Sequence, residues 1–276
     1  MTLKEAVELA TTTLSTISDS AKLDAQLLLC HVCKIKQTKI IAHPEQALNE
    51  QQLEIFTSTL NRRAKGEPLA YITGTKEFWS LELMVNEQVL IPRPDTELLV
   101  ELALKEISNI DTPRILELGT GSGAIAVALA KERENCDITA TDISLPALEL
   151  AKLNAKQHQA DITFIHSDWY KSVPEKKYDV VISNPPYISI SDTELDQFVS
   201  QYEPKQALLS EKNGLHALTE IIKNTPNYLL RTGSLIVEHG FQQADLVSEL
   251  FANANYNNVS THKDLAGNLR CTMGNT

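Results

Sequence analysis

The sequence predicts an α/β protein, a mostly parallel sheet covered by helices on both faces and preceded by a small helical bundle. Two observations carry that expectation. From Pro113 onward, short β-branched runs alternate with amphipathic ones, as in repeated strand–helix units. Before about residue 73 the apolar spacing is helical and no strand pattern interrupts it.

In chain order, "TLKEAVELATTTLS", "SAKLDAQLLLCHVCKI" and "NEQQLEIFTSTLNRRAKG" read as helices, with Asn49 as an N-cap and Gly66 as a stop. Nothing in this bundle has the composition of a catalytic site. Two of the four cysteines, Cys30 and Cys33, sit in a helical pattern without a second pair, so they read as small apolar residues on a helix face and not as a metal or redox motif. "KEFWSLELMVN" (76–86) switches to alternation and reads as a connecting hairpin. The strands that follow are "RILEL" (114–118), "DITATD" (137–142), "ITFIH" (162–166), "YDVVIS" (178–183) and "GSLIVEH" (233–239), and the tail from Tyr256 adds two more. The expected division is 1–73 for the bundle, 74–90 for a hairpin linker and 91–276 for a domain with a seven-stranded sheet.

The net charge of −11 argues against a partner gripped mainly through phosphates. The first residues are partly acidic with no sustained apolar core, which fits neither a signal peptide nor an anchor, and no run reaches membrane-spanning length. A cytoplasmic protein without a membrane partner is expected.

"LELGTGSGAIAVALA" (116–130) puts Gly119, Gly121 and Gly123 between the first strand and the first helix, where a backbone must turn tightly and a ligand can approach it. Asp142 ends the next strand, where a carboxylate accepts both hydroxyls of a ribose. "GTGSGA" also satisfies a relaxed dinucleotide pattern, so a nicotinamide enzyme is one alternative. Three features point elsewhere. Glu117 precedes the loop and fits a ligand with a cationic part. Asp168 and Trp169 after the third strand suit an adenine ring. The fourth strand ends in Asn184-Pro185-Pro186-Tyr187 and does not open a second nucleotide-binding half. S-adenosylmethionine combines an adenosine with a cationic sulfur.

Val180, Val181 and Ile182 suit a strand buried on both faces. The two prolines then end it in one stiff extended conformation, with a carboxamide and an aromatic ring on either side. These residues resemble a Rossmann-like class I S-adenosylmethionine methyltransferase that acts on a planar nitrogen. Upstream the match narrows. "EFWSLELMVNEQVLIPRPDTELLVE" (77–101), "YEP" (202–204), "EHG" (238–240) and "KDLAGNLR" (263–270) occur in the order and spacing of the peptide chain release factor glutamine methyltransferase family, also called HemK or PrmC. The resemblance covers nearly the whole chain. One departure is Leu269, where the family's D-L-A-G-x-D-R motif has an acid; Asp264 and Arg270 still match.

The resemblance implies transfer of a methyl group from S-adenosylmethionine, leaving S-adenosylhomocysteine, to the glutamine amide of the Gly-Gly-Gln loop of class I release factors. It places Glu117, Gly119, Thr120, Gly121, Ser122, Gly123, Asp142, Ile143, Asp168, Trp169 and Asn184 around the cofactor. Asn184 and the Pro185 carbonyl would accept the two N–H bonds of the amide, with Tyr187 walling or stacking on it. Arg93, Pro186 and the other residues of that turn would meet the substrate, and the bundle would recognise the factor outside its glutamine loop. The stretch Ile91–Glu97 reads equally as a rigid linker with a helix cap at Asp95. Competing readings are a methyltransferase acting on a ribosomal-protein glutamine or a nucleobase amine, and a non-catalytic adaptor. The acidic chain shows no basic and aromatic region for a flipped base, and no direct nucleic-acid partner is expected.

Overall fold

The structure, a computed structural model, describes residues 1–190 and 197–276. These form two compact units. One holds Met1–Thr75 and the short helix Gln197–Tyr202, and the other holds the remaining described residues from Lys76 onward.

In the first unit, α1 (Leu3–Leu14), α2 (Ala21–Cys33), α3 (Gln37–Ala42), α4 (Glu50–Ala64) and α5 (Leu69–Thr73) bury apolar faces around Leu14, Leu28, Leu29 and Phe56. Asn49 caps α4 as expected, its Oδ1 accepting from the Gln52 N–H at 2.8 Å while the Gln52 side chain accepts from the Asn49 N–H at 3.0 Å. Gly66 follows at φ +92°, and a Cβ there would lie 1.9 Å from the Phe198 ring, so backbone and packing both require glycine. Cys30 and Cys33 are half-buried free thiols on α2 whose burial raises their pKa, and no metal-ligating cluster exists among the described residues.

From Lys76 the second unit takes in the rest of the expected hairpin, β1 (Thr75–Phe78) and β2 (Leu81–Met84). Its turn places Trp79 and Ser80 at φ +53° and +58°, positions that usually hold Asn-Gly. Two hydrogen bonds hold the unusual tryptophan, from its backbone N–H to Glu97 Oε1 at 2.8 Å and from its indole Nε1 to Glu132 Oε1 at 2.7 Å.

The chain then runs through α6 (Glu97–Glu106), β3 (Arg114–Leu118), α7 (Ala124–Glu132), β4 (Asp137–Asp142), α8 (Leu145–Gln157), β5 (Thr163–His166) and β6 (Tyr178–Ser183). Next come β7 (Ile188–Ser189), α9 (Gln197–Tyr202, grouped with the first unit), α10 (Lys205–Leu208), β8 (Leu209–Ser210) and α11 (His216–Asn224). The last elements are β9 (Leu229–Glu238), α12 (Ala244–Asn253), β10 (Asn257–Lys263) and β11 (Leu269–Asn275). Seven strands form one sheet in the order β10-β11-β9-β6-β3-β4-β5, parallel except for β11.

The expected two-faced burial of the fourth strand is present. Val180 and Ile182 join the core with Leu99, Val127 and Leu129, while Val181 joins Leu218, Val247 and Phe251 on the opposite face. Each such side chain contributes roughly 1.5–3 kcal/mol of burial. The chain winds outward from β3 through β4 and β5, then returns to β6 on the other side of β3. The carboxyl ends of β3 and β6 therefore flank the switch point where open sheets bind ligands. Among the described residues no helix is long and apolar enough to cross a membrane.

Candidate active site

A cavity of about 500 Å³ opens at that switch point. It brings together Glu117, Gly119, Thr120, Gly121, Ser122, Asp142, Ile143, Asp168, Trp169, Asn184, Pro185, Pro186 and Arg93. Gly123 and Tyr187 are not among its walls. Gly123, at φ +81°, starts α7 where a Cβ would stand 3.1 Å from that of Ala151, so it serves helix packing.

The strand ends are stitched to one another. Thr120 N–H donates to the Thr141 carbonyl at 2.8 Å, and the Ser183 hydroxyl donates to the Leu118 carbonyl at 2.8 Å. Gly121 N–H donates to Asp142 Oδ2 and Ser144 N–H to Oδ1, both at 2.8 Å. Asp142 thus shapes the glycine loop while standing on the cavity wall with acceptor capacity left for a ligand. Burial raises its pKa, against the pull of the Ser144, Gly121 and Ile143 N–H groups.

Glu117 is 1% exposed. Its Oε2 accepts from the Thr120 hydroxyl at 2.8 Å and the Ala126 N–H at 3.1 Å. No cation pairs with it among the described residues, and burial pushes its carboxyl up to about 8, with Asp142 adding to the rise. A buried acid on a cavity wall with no cation of its own suits a ligand that brings one. Trp169 reaches the wall at φ +47°, a rare conformation for an aromatic residue. Ser167 holds that turn, its hydroxyl donating to the Trp169 carbonyl at 2.8 Å and accepting from Ser172 N–H at 2.9 Å. Asp168 forms an exposed ion pair with Lys171 at 2.7 Å. These donors and acceptors fit the adenosine and the cationic end of S-adenosylmethionine.

Across the cavity, Asn184 Nδ2 donates to Thr96 Oγ1 at 3.1 Å. Among the described residues nothing donates to Asn184 Oδ1 or to the Pro185 carbonyl, so both acceptors are uncommitted. Tyr187 departs from its expected role as a wall or stacking partner. Its ring packs against the core on the α11 and α12 side, and its hydroxyl donates to Glu238 Oε1 at 3.0 Å. A largely buried phenol needs a hydrogen-bond partner, and here the strand end of β9 supplies one.

The cap expected at Asp95 is absent. A 3-10 turn at Pro94–Thr96 leads into α6 without a side-chain cap, and the Asp95 carboxylate lies 3.2 Å from Arg270 Nε. Arg270 also pairs with Asp264 at 3.2 Å, so the matching residues of the closing motif hold this turn. Arg93 is ion-paired with Glu203, whose other oxygen accepts from the Ile91 N–H at 3.1 Å.

Sequence reasoning missed Asn154. Fully buried on α8, its amide accepts from Met84 N–H at 2.7 Å and donates to the Met84 carbonyl at 2.9 Å and the Ser122 carbonyl at 2.8 Å, fixing the glycine loop against the hairpin. A polar residue on the apolar face of a predicted helix was its only signal. It also missed the wall from Pro204 to Ala217, where His216 Nδ1 is buried with no hydrogen-bond partner among the described residues.

Residues 5–74 match the PrmC N-terminal domain family and residues 94–203 the methyltransferase small domain family. The chain is 43% identical to a release factor glutamine methyltransferase of Coxiella burnetii, over 97% of this chain and 96% of that protein. Its identity to the protein of the same name from Escherichia coli strain K12 is also 43%, over 93% of each. The crystal structure of a methyltransferase from Pyrococcus furiosus shares the fold, with a TM-score of 0.52 at 17% identity, covering 79% of this chain and 98% of that one.

Proposed function

We infer the chemistry of this cleft from a premise that its relatives supply: the chain belongs to the release factor glutamine methyltransferase family. It is an S-adenosylmethionine-dependent methyltransferase, and it methylates a glutamine of release factors. The glutamine we assign is that of the Gly-Gly-Gln loop of class I factors, modified at its side-chain nitrogen N5. The cofactor supplies an electrophilic methyl group on a cationic sulfur. Glu117 and the loop Gly119–Ser122 would hold its charged end, with Asp142 at the ribose and Ile143, Asp168 and Trp169 around the adenine.

One observation carries the assignment of Asn184. Its amide nitrogen is committed to Thr96 while its Oδ1 and the adjacent Pro185 carbonyl remain free at the cavity. Two fixed acceptors match the two N–H bonds of a primary amide. Holding both orients the nitrogen for attack, and both dipoles favour the positive charge that develops on it. Pro185 and Pro186 fix the backbone so that this carbonyl is spared from the sheet ladder. Arg93 and Pro186 would border the glutamine loop, and the helical unit would contact the factor elsewhere. No direct nucleic-acid contact is needed, and the substrate puts the enzyme in the cytoplasm.

The test is mass spectrometry of unmethylated release factor incubated with the protein and S-adenosylmethionine, alongside ribosomal proteins and nucleic acid. One added methyl on the glutamine of the Gly-Gly-Gln peptide is expected. Methyl only on a ribosomal-protein glutamine or a nucleobase would overturn the substrate assignment.

A further inference from the structure

The amide of Asn184 can present either its oxygen or its NH₂ to the cavity, and the two ends are nearly equal in size. Only the oxygen serves an incoming N–H. Thr96 does not decide the matter alone, because a hydroxyl accepts from Nδ2 or donates to Oδ1 with equal ease. What the Thr96 proton is bound to therefore controls which end of Asn184 is offered.

The neighbouring group is Glu238, the last residue of β9 and 1% exposed. The Thr96 hydroxyl stabilises its charged form, and the Tyr187 hydroxyl donates to its Oε1 at 3.0 Å. Among the described residues its buried Oε2 has no hydrogen-bond partner, which leaves acceptor capacity on the carboxylate. The Tyr187 hydroxyl ties this carboxylate to the last residue of Asn184-Pro185-Pro186-Tyr187, and Thr96, which accepts from the first, is near enough to favour its charged form.

We propose that ionised Glu238, acting through the Thr96 hydroxyl, is the positioning group that fixes the Asn184 amide with its oxygen towards the substrate. The proposal rests on the reading of Asn184 as acceptor for the glutamine amide. With its only proton directed to the carboxylate, Thr96 must accept from Asn184 Nδ2, and Oδ1 is left for the substrate. A protonated Glu238 frees the Thr96 proton to donate to Oδ1. The NH₂ of Asn184 then turns into the cavity and meets the substrate donor to donor.

The groups facing Glu238 come from each element packed around it. Thr96 and Asp95 lie on the 3-10 turn, Tyr187 follows β6, Arg270 and Cys271 lie on β11, and His239 follows in sequence. Burial raises its pKa most. The Thr96 and Tyr187 hydroxyls and Arg270 oppose that rise and Asp95 adds to it, leaving the group at about 7. The switch therefore operates near neutral pH.

The experiment measures kcat for full-length release factor at saturating S-adenosylmethionine, from about pH 5.5 to about 9. It compares the whole protein with Glu238→Gln, Thr96→Val and Thr96→Ser, and records cofactor affinity and melting temperature for each. Unmutated protein should gain turnover with rising pH through about 7. Glu238→Gln should lose that acid limb, and Thr96→Val should lose roughly tenfold to a hundredfold in kcat. Thr96→Ser should recover most of the loss, with cofactor affinity within about threefold throughout. An unchanged acid limb in Glu238→Gln, or full turnover in Thr96→Val, overturns the proposal. If Glu238→Gln does not fold, the Thr96→Val and Thr96→Ser pair decides. Absence of any transfer by the unmutated protein would mean that the functional reading has failed and the network with it, whereas transfer with indifferent variants would sink the network alone.

Discussion

The two halves of the cleft are built differently. The half assigned to the cofactor is made largely of backbone, a glycine loop and two strand ends, with Glu117, Asp142 and Trp169 all close to those ends. The half assigned to the amide depends on side chains from distant segments: Thr96 and Asp95 from one turn, Asn184 and Tyr187 from another, Glu203, Glu238, and Asp264 with Arg270 from the closing hairpin. Binding a common ligand needs a local motif, whereas aiming one amide at it needs constraints from several directions.

The largest effect that tests this difference is expected from Asn184→Ala. Turnover on release factor should fall roughly a hundredfold or more, with S-adenosylmethionine affinity by calorimetry nearly unchanged. Equal losses in both would erase the distinction between the halves. Asp142→Ala should do the converse, weakening cofactor binding roughly tenfold to a hundredfold while kcat at saturation changes far less. Its melting temperature should fall too, because Gly121 and Ser144 lose their acceptor.

Glu117 gives a pH signature for the cofactor half. Its folded pKa of about 8 lies above the unfolded value, so its contribution to stability is greatest at acid pH and is lost as pH rises towards about 8. A cationic ligand favours the charged form. Binding of S-adenosylmethionine should therefore tighten with pH up to about 8 and release protons, seen calorimetrically in buffers of different ionisation enthalpy. Glu117→Gln should abolish both effects, and an affinity independent of pH in the unmutated protein would refute the assignment.

Glu203→Gln weakens the pairing to Arg93 without removing the acceptor for Ile91. Because Arg93 is partly exposed, the cost should be about 1 kcal/mol in thermal unfolding, with a modest rise in KM for release factor and little change for the cofactor. The smallest effect is expected from Leu269→Asp, which restores the usual family residue. No ion pair or side-chain hydrogen bond involves Leu269 among the described residues, so stability should stay within about 0.5 kcal/mol and kcat within about twofold. A tenfold gain would show that this position acts on the site.

Alternation of apolar runs was enough to read the sheet, because a strand buried on both faces leaves the same trace wherever it sits. The glycine loop, Asp142 and the Asn184 turn were legible for a similar reason: each places its chemistry within a few residues of a strand end. The Trp79-Ser80 turn was harder, since its left-handed backbone is unusual for those residues and is held by Glu97 and Glu132 from elsewhere. The resemblance set Tyr187 against the substrate, whereas its ring packs on the core and its hydroxyl donates to Glu238, a partner 51 residues away that the local motif does not reveal.

What the sequence by itself determined was the fold, which follows from periodicity, and the strand ends proposed for the site, which follow from short local motifs; the family followed from the resemblance of those motifs to known proteins. Tertiary structure alone decided that Asn154 braces the glycine loop, that Asp95 answers Arg270 and caps no helix, and that the Tyr187 hydroxyl donates to Glu238. The physical reason is range. Propensity and burial pattern act along the chain, whereas a hydrogen bond or ion pair between residues far apart in sequence exists only once the sheet has brought their strands side by side.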